Sequence, residues 1–133
     1  SCFDHRKGLR VQAAVREAAD TLTAAGYRVD VQAAPLPRAP RRVGVVFARV
    51  LRESLTNVLK HAAPGTVSLI VRADETHAEL TVRNAFPAVR RDDIPSAGTG
   101  VARMAGLVRE VGGELHAGRE ADDWVVVARV PLA

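Results

Sequence analysis

The sequence has 133 residues, the size of one domain able to bury a single core, and it is 47% hydrophobic and 26% charged, a globular composition. Its net charge of +4 is spread over scattered arginines, with only Lys7 and Lys60 as lysines and few aromatics, which does not fit a nucleic-acid binder. No run approaches the roughly 18 apolar residues of a membrane span and no signal-peptide layout opens the chain, while the lone Cys2 excludes an internal disulfide or a cysteine metal site. The expected compartment is therefore the cytoplasm, with no direct membrane contact by this domain.

In chain order, Val11, Val15, Ala18 and Leu22 recur at helical spacing and predict a helix over Leu9–Ala25, stopped by Gly26. Tyr27–Val31 alternates like a short strand, and the prolines between Pro35 and Pro40 predict a loop. A second helix is predicted over Arg42–Ala63, with Phe47, Leu51, Leu55, Val58 and Ala62 on one face and Pro64-Gly65 at its end. A hairpin follows, Val67–Arg72 and Glu79–Arg83 around Asp74-Glu75-Thr76. Phe86–Gly100 reads as a long loop, a third helix as Val101–Val111 closed by Gly112-Gly113, and a last hairpin as Leu115–Gly118 and Trp124–Val130. This order predicts an α/β fold: a two-layer sandwich with three helices on one face of a mixed, mostly antiparallel sheet. One domain over 1–133 is expected, with no internal repeat.

Two segments carry candidate chemistry. Glu53, Asn57, Lys60 and His61 follow one another at i, i+4, i+7 and i+8, a stripe along the border of the second helix's apolar face. Arg49 and Arg52 fall on the other side, toward solvent. An amide oxygen suits a hard cation such as Mg²⁺, and a lysine suits a phosphate; a solvated face with a Glu–Lys pairing has the same spacing. Gly98-Thr99-Gly100 stands directly before the third helix, where unpaired N–H groups favour phosphate. It is neither a dinucleotide fingerprint nor a P-loop, and a plain glycine-bearing loop is the alternative.

Together, ESLTNVLKHA (53–62) and GTGVARMAGLVREVGGELHAG (98–118) resemble the N box and the G2 box of sensor histidine kinases in the GHKL ATPase superfamily. The form is closest to the kinases that pair with helix-turn-helix response regulators. The resemblance implies the Bergerat fold, with Mg·ATP between the N-box helix and a lid at 86–97. It implies Asn57 as the Mg²⁺ ligand, Lys60 as a phosphate contact, Glu53 as the catalytic, polarising carboxylate and His61 beside the nucleotide. Gly98, Thr99 and Gly100 become the phosphate-side backbone.

The family's DxGxG motif, the G1 box, falls on Asn84-Ala85-Phe86-Pro87-Ala88, so Asn84 replaces the adenine-binding Asp and Phe86 replaces a glycine. His5, within FDHRKG, does not resemble the family's acceptor motif. The expected partners are a dimerisation and phosphoacceptor domain outside this chain, with 1–8 a remnant of the linker to it, and a response regulator. The parent protein is compatible with a membrane anchor. The implied function is transfer of the ATP γ-phosphoryl group to a histidine on that separate domain. A degenerate domain acting as a protein–protein module, and a serine kinase of the anti-sigma type, are the competing readings.

Overall fold

The computed structural model describes residues 2–37, 39–85 and 100–133, with side chains from residue 11 onward. Eight elements follow in the order α1 (Cys2–Ala24), β1 (Arg28–Ala33), α2 (Arg41–His61), β2 (Thr66–Ala73), β3 (His77–Ala85), α3 (Ala102–Glu110), β4 (Glu114–Glu120) and β5 (Asp123–Pro131). The strands form one sheet in the order β1-β2-β3-β5-β4. Only the β1–β2 pair is parallel; the other three pairs are antiparallel. The expected architecture of three helices on a mixed sheet is therefore observed.

Alternation along the strands decides which face the helices cover. Val67, Leu69 and Val71 of β2 stand opposite Asn84, Val82 and Leu80 of β3, and Val82, Leu80 and Ala78 stand opposite Val126, Ala128 and Val130 of β5. All of these residues are buried. From the helices come Val11, Val15 and Leu22 of α1, Val43, Phe47, Val50 and Val58 of α2, and Met104 and Val108 of α3. Each fully buried aliphatic side chain contributes roughly 1.5–3 kcal/mol relative to leaving it in water. In this layer α2 is the central helix, packed between α1 and α3 and lying over β3 and β5.

Glycine ends two of the helices by the same device. Gly26 (φ 98°) donates to Thr23 and Tyr27 donates to Leu22 at the end of α1; Gly112 (φ 80°) donates to Arg109 and Gly113 to Val108 at the end of α3. Both are Schellman caps, in which a left-handed glycine lets the chain satisfy the last carbonyls. Gly113 has a second reason to be glycine. A Cβ there would run into the Arg129 carbonyl and sit 2.9 Å from Val108 Cγ1, so its bareness lets α3 dock against β5.

Several boundaries differ from the sequence reading, three of them for a reason the structure shows. Helix α1 begins at Cys2 instead of Leu9, so 2–8, expected as linker, are its first turns; Gly8 within a helix costs only about 1 kcal/mol. Strand β1 extends to Ala33 because it is carried by parallel pairing with β2 as far as Val71. The last hairpin turns at Ala121-Asp122 alone, with Glu120 opposite Asp123, and Ala121 takes φ 55° where glycine is usual. No helix among the described residues is long and apolar enough to cross a membrane.

Candidate functional site

The site is built where the middle of α2 meets the start of α3. The apolar stripe of α2 buries Val50, Leu51, Ser54 and Val58, and this leaves Glu53 and Asn57 half-buried on its border. Burial of Met104 and Val108 seats α3 beside them, with the Ser54 hydroxyl 3.7 Å from the Met104 sulfur. A Cβ placed on Gly100 would lie 3.7 Å from Asn57 Nδ2, Asn57 Oδ1 and Glu53 Oε2. The two segments that carried the sequence resemblance, about fifty residues apart in the chain, are therefore in contact distance of each other.

Glu53 presents its two oxygens to different neighbours. Oε2 faces the Gly100 backbone, while Oε1 accepts a hydrogen bond of 2.8 Å from Arg103 Nη1 on α3. The pair is asymmetric in exposure, Arg103 at 62% and Glu53 at 23%. Arg103 was not among the residues singled out from the sequence. Nothing in local spacing links it to Glu53, and only the docking of α3 on α2 brings them together.

Lys60 and His61 occupy the last turn of α2, Lys60 exposed and His61 half-buried. That turn is held by Tyr27, whose hydroxyl lies 3.3 Å from the Val58 carbonyl and 3.2 Å from the Ala62 carbonyl. A residue just after α1 thus satisfies carbonyls at the end of α2, a support that sequence spacing does not reveal. The chain then turns at Gly65, whose added Cβ would lie 3.7 Å from Ala85 Cβ. This puts the end of α2 and the end of β3 at the same end of the sandwich.

Asn84 is on the helix-facing side of β3, opposite Val67 and Trp124, and is only 4% exposed. Its Nδ2 donates to the Ala85 carbonyl at 3.3 Å. Phe86, Gly98, Thr99 and the whole of the expected lid at 86–97 lie outside the described residues.

An amide oxygen and a carboxylate oxygen are hard ligands, and Mg²⁺ takes few protein ligands because it keeps waters and phosphate oxygens. Among the described residues no cluster of three or more His, Cys, Asp or Glu could hold a metal on its own.

Comparison with solved structures places this fold. It is the α/β sandwich of the ATP-binding catalytic domains of sensor histidine kinases. The histidine kinase domain of the Erythrobacter litoralis EL346 blue-light activated histidine kinase matches over 92% of this chain and 65% of that one, with a TM-score of 0.74 and 25% identity. The Acinetobacter baumannii histidine kinase AdeS matches over 91% and 64%, at TM-score 0.71 and 15% identity. The mycobacterial sensor histidine kinase MprB matches over 92% and 93%, at TM-score 0.64 and 16% identity. The chain thus spans just under two thirds of the first two structures. No protein-family model and no curated protein matches the sequence.

Proposed function

We propose that this chain is the Mg·ATP-binding catalytic domain of a two-component sensor histidine kinase, which transfers the γ-phosphoryl group to a histidine on a separate dimerisation domain. The observation that carries the reading is the convergence of Asn57 and Glu53 on the Gly100 backbone. Asn57 Oδ1 would hold the cation, and bound Mg²⁺ would supply neutralisation of phosphate charge. Lys60 would add a positive charge toward the phosphates, with His61 beside the nucleotide, and the N–H groups leading into α3, from Gly98 through Gly100, would bind phosphate oxygens. Glu53, oriented by Arg103, would polarise the incoming nucleophile. Phosphoryl transfer asks mainly for positioning and charge neutralisation, and this inventory suits that demand.

The same reading assigns a phosphoacceptor domain and a helix-turn-helix response regulator as partners, and the cytoplasm as location. A second reading, a fold-keeping protein–protein module, is favoured by one observation. Asn84 stands where the family has an adenine-binding aspartate, and its amide is engaged with Ala85. A neutral acceptor makes a bond about half as strong as a carboxylate does.

Calorimetric titration of Mg·ADP separates the two readings. The kinase reading expects saturable binding at about 100 µM or weaker, near −5 kcal/mol. No heat at millimolar nucleotide would favour the module.

A further inference from the structure

The outer side of the Glu53–Arg103 pair opens into a groove of about 200 Å³ between α2 and α3, lined by Arg49, Arg52, Glu53, Arg103 and Leu107. Three guanidinium groups meet there with one carboxylate. Glu53 is already engaged by Arg103 at 2.8 Å. Among the described residues Arg49 and Arg52, both exposed, make no ion pair. Glu17 of α1 shares a neighbouring recess with Arg52 but does not pair with it.

This clustering has a cost that the fold does not relieve. Residues three apart on a helix have Cβ atoms about 5–6 Å from each other, so Arg49 and Arg52 repel, and Arg103 approaches the same groove from α3. Nothing in the packing requires them, since neither side chain is buried. Guanidinium is also the cation best matched to carboxylate, through two parallel N–H···O bonds.

We propose that the α2–α3 groove docks an acidic polypeptide segment, with Arg49 and Arg52 as the principal recognising groups. Two features favour a polypeptide over nucleic acid. Leu107, half-buried, gives the groove an apolar wall against which the methylenes of a Glu or a neighbouring apolar residue pack. Among the described residues no aromatic side chain lines the groove for base stacking, and its size suits one or two carboxylate side chains, not an extended phosphate track. The proposal goes beyond nucleotide binding and stands whether or not Mg·ADP binds.

The test is fluorescence anisotropy of a labelled octaglutamate peptide titrated with the chain at low ionic strength. The double variant Arg49→Glu/Arg52→Glu is compared with Arg16→Glu/Arg28→Glu, which makes the same change in net charge at exposed positions on α1 and β1. The expected result is a loss of affinity of about tenfold or more in the groove variant and under about twofold in the control, with both signals falling as salt approaches about 0.5 M. Circular dichroism checks folding, and Arg49→Gln/Arg52→Gln, which removes charge without reversing it, gives a smaller loss in the same direction. Equal losses in the two charge-reversal variants would mean diffuse attraction and overturn the proposal. So would no peptide binding at low salt, or displacement of the peptide by a DNA duplex whose own binding needs Arg49 and Arg52.

Discussion

The open face of the sheet and the α2–α3 edge both carry arginines, and they treat them in opposite ways. On the sheet, Arg72 pairs with Glu79, Arg83 with Glu120 and Asp123, and Arg129 with Asp74 and Glu79. At the α2–α3 edge one arginine holds Glu53, and among the described residues the other two have no acid. Asn57 and Lys60 likewise form no side-chain hydrogen bond with other described residues. A polar group matched inside the domain adds modestly to folding, while an unmatched exposed one adds nothing. The sheet face is therefore a structural surface, and both proposals place ligand binding at the α2–α3 edge.

If that contrast is right, substitutions on the sheet side change stability and leave ligands alone, and substitutions at the edge do the reverse. The largest effect is expected at the seam where α3 docks on β5. Gly113→Ala forces a methyl against the Arg129 carbonyl and Val108, and overpacking of this kind costs about 1–3 kcal/mol. Thermal melts should show a clear drop in Tm, and nucleotide affinity per folded molecule should be unchanged.

Asn84→Asp sharpens the comparison because the position is buried on the helix side and the proposed function assigns it to the adenine site. An unpaired carboxylate there lowers Tm in the absence of nucleotide. Saturating Mg·ADP should restore much of that loss, and the variant should bind ADP several-fold tighter, up to about tenfold when combined with Phe86→Gly. A variant that is destabilised and binds no better would remove residue 84 from the adenine site.

A smaller change is expected on the open face. Arg83 donates to Asp123 and Glu120, and these bonds, Asp123 first, raise its affinity for its proton. The pair is still more than a third exposed on the arginine side, so Arg83→Ala should cost under about 1 kcal/mol and less at high salt. Denaturant titrations at two salt concentrations measure it.

The smallest effect is a pH dependence at the β2–β3 turn. The backbone N–H of Thr76, then that of His77, then the Thr76 hydroxyl hold the Asp74 carboxylate well below the usual carboxylate range. Because the folded value is depressed, this stabilisation is present above the unfolded value of about 3.9 and is lost as pH falls toward the folded one. Asp74→Ala should remove that contribution near neutrality and flatten the acid limb of the stability curve below about pH 4, which denaturant titrations across pH would show.

Much of the fold was legible because its signals are periodic. The stripe Phe47, Leu51 and Val58 located α2, while the inner-face position of Asn84 beside Val82 and Leu80 came only from the structure, where β3 runs on past Arg83. Glycine located the ends of α1 and α3. The last turn was read too wide because Ala121 carries the positive φ without a Gly or Asn to announce it. At the site, Glu53, Asn57 and Gly100 were named from residue type and motif. Their supports were not, because the Arg103–Glu53 bond and the Tyr27 contacts with α2 join residues far apart in the chain. Such pairs exist only once three helices share one face of a sheet.

The most direct test of the central claim is the nucleotide affinity of Asn57→Ala measured in Mg²⁺ and again in EDTA. Asn57 is half-buried and bonded to no other described side chain, so its loss should leave Tm nearly unchanged. If its amide oxygen holds the cation, ADP binding should weaken by about tenfold in Mg²⁺, equivalent to about 1.4 kcal/mol, and by much less in EDTA. An equal loss in both conditions, or none in either, would contradict the account and leave the α2–α3 edge without a role in holding a magnesium nucleotide.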